Sequence, residues 1–113
     1  MIKVYVAGPY TKGDVALNVR EAILVGDVLA THGFAPFVPH LTHFWHIVAP
    51  RTYQFWVDLD LQFLPACDAL LRIAGDSPGS DHEEAVAREL EIPVFYDIES
   101  LIGHFGVQEG AGL

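Results

Sequence analysis

The stretch Ile2-Lys3-Val4-Tyr5-Val6-Ala7-Gly8-Pro9 decides the fold. β-Branched and aromatic residues fill positions 2–7 and Gly8-Pro9 interrupts them, which predicts a buried strand stopped by a turn. Over residues 13–32, Val15, Val19, Ala22, Ile23, Gly26, Leu29 and Ala30 recur at helical spacing, and Gly33 stands where a C-terminal cap belongs. Residues 34–38 give a second strand closed by Pro39, and Pro36 within it cannot donate to a ladder, which assigns it to the sheet margin. The pattern continues with a helix over 51–64, a central strand over 68–73, a helix over 80–91, a strand over 92–96 and a short helix to 105 capped by Asp97. Residues 39–50 show no clear period and carry three His with Phe44 and Trp45, a load that reads as a functional loop. The Gly-rich residues 106–113 read as a loose or subunit-docked tail.

Strands alternating with helices make a parallel sheet with helices on both faces, and right-handed crossovers give the order 2-1-3-4. The expected class is therefore α/β, with residues 1–113 as one domain. Ligands in such sheets sit beyond the carboxyl ends of the strands. The segments that converge there are 8–13, 39–50 and 74–80.

Composition narrows the partners. The chain has 113 residues, 51% of them apolar and 19% charged, enough to build a core and too apolar for disorder. Some of that apolar surface is left over for another subunit. Six Lys plus Arg against fifteen Asp plus Glu give a net charge of −9, which repels a nucleic acid polymer. A small phosphate is still welcome, because backbone N–H groups at a helix N-terminus hold it without basic side chains. Cys67 is the single thiol, no charged leader precedes the first strand, and the apolar runs fall short of a bilayer span of about 18 to 20 residues. The expectation is a cytoplasmic protein with no membrane anchor.

Two carboxylates fall on the wrong side of their helices. With about 100° per residue, Val86, Ala87 and Leu90 lie within about 60° of Glu83, so Glu83 sits in the middle of an apolar face. A carboxylate there is costly unless something compensates it. Two readings compete: a ligand site, or a capping box in which Glu83 reaches back to the amide of Ser80. On the helix after Arg51, Tyr53, Trp56, Val57, Asp60, Phe63 and Leu64 share one arc with Asp60 near its centre, while Asp58 points away. Asp60 alone would pass for a structural acid; two inward carboxylates beside one crevice suit acid–base or nucleophilic chemistry.

These residues resemble the nucleoside 2-deoxyribosyltransferase superfamily, which includes nucleoside 5'-monophosphate N-glycosidases. The resemblance rests on Val6-Ala7-Gly8-Pro9-Tyr10, the interval from Asp60-Leu61 to Asp68, Ser77-Pro78-Gly79 with Glu83 six residues after the Ser, and Ile92-Pro93-Val94-Phe95. It implies a three-layer flavodoxin/Rossmann-like sandwich with a four- to five-stranded parallel sheet. It also implies Glu83 as nucleophile, Asp60 as the sugar-positioning acid, Ser77 at a phosphate-contacting position, no cofactor, and a homodimer or higher homo-oligomer. The chemistry would be attack of Glu83 on C1' through an oxocarbenium-like transition state, with retention.

Gly8 and Gly79 let backbone approach a ligand, although a tight turn explains Gly8 equally well, and Tyr10 either bonds near base or sugar or fills the core. His40, His43 and His46 recur every three residues. They read as a metal site, a base-binding wall with His43 and Trp45 in contact, a subunit contact or plain packing; the spacing suits no standard metal set, so no metal is assigned. Arg20 and Arg51 read as phosphate partners or solvated charges. The leading expectation is an enzyme that cleaves or exchanges the N-glycosidic bond of a (deoxy)nucleoside or nucleoside 5'-monophosphate. The alternatives are a non-catalytic nucleotide sensor in the same crevice and a metal-binding protein built on the His segment.

Overall fold

The computed structural model describes residues 1–109. Strand β1 (Lys3–Ala7) leads to helix α1 (Val15–Thr31), β2 (Ala35–Phe37), α2 (Thr42–Val48), α3 (Tyr53–Phe63), β3 (Ala69–Arg72), α4 (Pro78–Glu89), β4 (Val94–Phe95) and α5 (Ile98–Phe105). All strand pairs are parallel and the order is β2-β1-β3-β4. This is the expected α/β, flavodoxin-like sandwich with four strands, and β2 with its Pro36 lies at the edge as the missing N–H requires.

Alternation along β1 divides the molecule. Val4 and Val6 join Ala22, Leu29, Phe34, Ala69, Leu71 and Leu101 in a core under α1 and α5. Tyr5 and Ala7 point the other way, to Leu64, Cys67, Leu70 and Ala87 beneath α3 and α4. The strands are covered on both sides, which is why β1 and β3 read as continuous apolar runs.

Residues 39–50 are not a loop. A 3-10 turn, Pro39–Leu41, runs into α2, and Ala49 leaves the helical region ahead of Pro50. The apolar side of this seven-residue helix faces solvent, since Phe44, Trp45, Ile47 and Val48 are all exposed. Helix α4 starts at Pro78 with Ser77 as its cap, before the expected Ser80, because proline is preorganised for a first helical turn. Leu90 is exposed at its far end, and Tyr53 and Phe63 on α3 are more exposed than their arc suggested, Phe63 stacking on Phe37 at 5.0 Å. Asp97 caps α5 as expected, accepting from the Ser100 N–H at 2.7 Å. Of the tail, Gln108 donates to the carbonyls of Phe105 and Gly106 and lies against Gly33, whose φ of +85° needs glycine. Residues 110–113 lie outside the described residues. No helix among the described residues is long and apolar enough to cross a membrane.

Candidate active site

A crevice opens beyond the carboxyl ends of β1 and β3, between α2, α3 and the first turn of α4. It encloses roughly 670 Å³ of non-atom space, part of it open to solvent. Glu83 and Asp60 both line it, with Gly8, Tyr10, Ser77 and Gly79.

Glu83 does not fold back onto its own helix start. The amide of Ser80, which a capping box would have tied to Glu83, donates to the Ser77 hydroxyl at 3.1 Å. The Glu83 carboxylate instead accepts a hydrogen bond from the Tyr5 hydroxyl. Tyr5 is completely buried. A phenol at that depth requires a partner, and Glu83 supplies it. Burial pushes Glu83 up from 4.5 to about 7, opposed by the Tyr5 hydrogen bond and by the positive charge of Arg72. Asp60 is likewise pushed up from 3.8 to about 7, first by burial and then by the negative charge of Glu83. Its Oδ1 is buried with no partner. Burial, followed by repulsion from Glu83, also holds the Tyr5 phenol firmly protonated, so it remains a donor.

Arg72, nearly buried at the end of β3, fixes the turn that feeds α4. It donates to the carbonyls of Ile73 and Gly75 at 3.1 and 2.8 Å and pairs with Asp81 at 2.7 Å. The nearby charge of Asp76 is met by Lys12 at 2.7 Å. Ser77 caps α4 and its hydroxyl donates to the Ser80 hydroxyl oxygen at 2.9 Å. A Cβ on Gly8 would meet the Ile73 Cβ at 3.0 Å, a tight approach to a packed side chain, and one on Gly79 would push aside the Tyr53 hydroxyl, which it would meet at 2.7 Å.

The three His do different things. The His40 ring is buried, and since two carbonyls face its Nε2, from Gly8 at 3.1 Å and Pro9 at 3.0 Å, that nitrogen carries the proton and donates. Burial lowers its pKa. His43 stands behind the crevice wall, paired through Nδ1 with the Tyr10 hydroxyl at 2.8 Å. His46 lines the crevice. Trp45 does not line it; it packs edge-on against Trp56 with ring centres 5.0 Å apart. In place of Trp45, the aromatic side chains of Trp56 and Tyr53 on α3 line the crevice. Arg51 lies over the Phe55 ring at 4.4 Å and Arg20 is exposed on α1, so neither is at the crevice.

Thr42, Ser80, Tyr53 and Trp56 also line the crevice, with Tyr5 behind Glu83, and none of them is a residue that the sequence marks for this place. For Tyr5 a signal existed, a hydroxyl in an otherwise aliphatic buried strand. For Thr42 it was hidden by the unrecognised helix.

A parallel α/β sandwich with paired carboxylates at its carboxyl edge is the class that fold and site define. A solved 2-deoxyribosyltransferase of the psychrotolerant bacterium Bacillus psychrosaccharolyticus, described as a biocatalyst for nucleoside synthesis, has this fold. The two are 22% identical, with a TM-score of 0.62 over 81% of this chain and 69% of that one. The chain itself belongs to the family described as a domain of unknown function, DUF7768, whose model matches residues 2–97. No curated protein sequence matches it.

Proposed function

We propose that this protein cleaves or exchanges the N-glycosidic bond of a (deoxy)nucleoside or nucleoside 5'-monophosphate, and the observation that carries this is Glu83 facing Asp60 across one crevice while bound by the Tyr5 hydroxyl. Ionised Glu83 forms a bond to C1' as the bond from C1' to the base nitrogen breaks, and the base takes up a proton as it departs. Water or a second base then attacks C1' from the face the first base left, releasing Glu83 and passing the attacker's proton to the medium; with water the net reaction is hydrolysis, with a base it is exchange. Asp60 positions the sugar through its hydroxyls. The likeness to a 2-deoxyribosyltransferase supports the same reading through fold.

A monophosphate is accommodated by the first turn of α4, where Ser77 and Gly79 face the crevice and the competing charge of Asp76 is neutralised by Lys12. No cofactor enters this chemistry. The exposed apolar residues of α2 support a homo-oligomer, and the lone unpaired Cys67 supports a cytoplasmic setting. Light scattering that finds only monomer would remove the oligomer.

The test is a panel of nucleosides and their 5'-monophosphates, with released base followed by chromatography. Base release that disappears in Glu83→Ala is expected. Binding without release, unaltered by Glu83→Ala, would leave a nucleotide sensor instead.

A further inference from the structure

Helix α2 sends two side chains to the crevice, Thr42 and His46, and the protein fixes the hydrogen-bonding sign of each. The Thr42 hydroxyl donates its only hydrogen to the Pro39 carbonyl at 2.8 Å, so towards a ligand Oγ1 is an acceptor. His46 Nδ1 accepts the Trp56 indole N–H at 2.9 Å and the Arg51 backbone N–H at 3.2 Å. Neither of those groups can accept, so Nδ1 bears no proton and the neutral ring carries it on Nε2. His46 Nε2–H has no partner among the described residues. The two residues are four apart on one helix, which places them on the same face with Cβ atoms about 5–6 Å apart. Tyr10, another hydroxyl at the crevice, has no such fixed sign, because its partner His43 is held by no second bond.

We infer that this face of α2 reads the edge of the nucleobase: His46 Nε2–H donates to an acceptor on the base, and Thr42 Oγ1 accepts from the donor beside it. The crevice then selects bases that carry an acceptor next to a donor, as in the C=O and N–H of hypoxanthine or the ring nitrogen and amino group of cytosine. That a base occupies this end of the crevice rests on the glycosidic reading above; the tautomer of His46 does not.

The first measurement is a two-bond ¹H–¹⁵N spectrum of the full chain, in which neutral His46 is expected as the Nε2–H tautomer and its Nε2 ¹⁵N resonance is expected to shift with free hypoxanthine and not with free purine. An Nδ1–H tautomer, or no difference between the two bases, overturns the inference. The second is base release from 2'-deoxyinosine against purine 2'-deoxyriboside, and 2'-deoxycytidine against 2-pyrimidinone 2'-deoxyriboside, each also as its 5'-monophosphate. In the wild type kcat/KM favours the complete edge; Thr42→Val lowers that preference in both pairs, and His46→Phe lowers it in the inosine–purine pair, where the acceptor itself is lost, each by about tenfold, the worth of one neutral hydrogen bond in a dry site. His46→Gln retains an acceptor for Trp56 and an N–H for the base, so it retains most of the preference even if the Phe variant fails to fold. An unchanged preference in all three variants overturns the inference and leaves the glycosidic reading standing. Failure of every substrate removes the glycosidic reading, and the hypoxanthine shift then decides the edge reading alone.

Discussion

The two faces of the sheet share strands and differ in what those strands are asked to hold. Under α1 and α5, Val4, Val6, Leu29, Phe34 and Leu71 form a core without a polar side chain. Under α3 and α4 the cluster of Ala7, Leu64, Cys67, Leu70 and Ala87 also takes in Tyr5, whose hydroxyl meets Glu83, and beyond the carboxyl ends of β1 and β3 two carboxylates line the crevice. One strand, β1, serves both by alternation alone. The dry face supplies stability, and the other gives up some of it to keep charged groups out of water.

The largest effect expected from breaking that division is Glu83→Gln. Removing the proposed nucleophile while keeping the shape is expected to lower base release by about four orders of magnitude. Because burial disfavours the ionised acid, the neutral amide leaves thermal stability unchanged or higher. A variant that loses stability and keeps activity would reverse the assignment of the two faces.

Phe34→Ala tests the other side. The ring is 1% exposed and meets Phe105 edge-on, so its loss costs about 3–5 kcal/mol by urea titration, with little change in KM for the protein that stays folded.

Next comes the pH dependence of stability. Glu83 and Asp60 have acids raised in the folded chain to about 7 from 4.5 and 3.8. Groups raised in this way favour folding below their unfolded values, and that contribution is lost as pH climbs through about 7. Stability therefore declines between about pH 4 and 7 by at most about 1.4 kcal/mol per pH unit per group, less after solvent screening. Thermal melts across that range would record it. Glu83→Gln removes its own share and, by removing the charge beside Asp60, part of the other, so its melting curve is flatter with pH. A wild-type stability that rises across the same window would contradict the buried, raised carboxylates.

Much of this division is readable in the chain. The alternation of residues 2–7, the helical stripe of α1 and the inward phase of Glu83 and Asp60 are local patterns, and each predicts which side a residue faces. What escapes is what depends on contacts distant in sequence. Tyr5 and Glu83 are 78 residues apart, and nothing near either one announces the hydrogen bond. Helix α2 escapes for another reason: it is only seven residues long and its apolar side chains share a side that faces solvent, while the turn from Pro39 and the stop before Pro50 define it from outside. Trp45 and Trp56 show the same limit, since composition marks an aromatic cluster without saying which ring meets the crevice.

The smallest effect tests the comparison within a single strand. Tyr5→Phe removes the hydroxyl that holds Glu83 towards its ionised form, so the Glu83 acid rises further above about 7. Attack requires the ionised carboxylate, so the acid limb of the kcat/KM profile moves to higher pH and activity below neutrality falls by about tenfold, the low end for a hydrogen bond to a charged group. Above the shifted limb, activity recovers. Val6→Ala, one residue along and on the opposite face, lowers the denaturation midpoint and leaves the limb where it was, because its side chain packs only into the dry core. If both variants moved the limb equally, the sheet would be transmitting packing changes from one face to the other. If neither did, the Tyr5 hydroxyl would be filling space beside Glu83 without governing its proton.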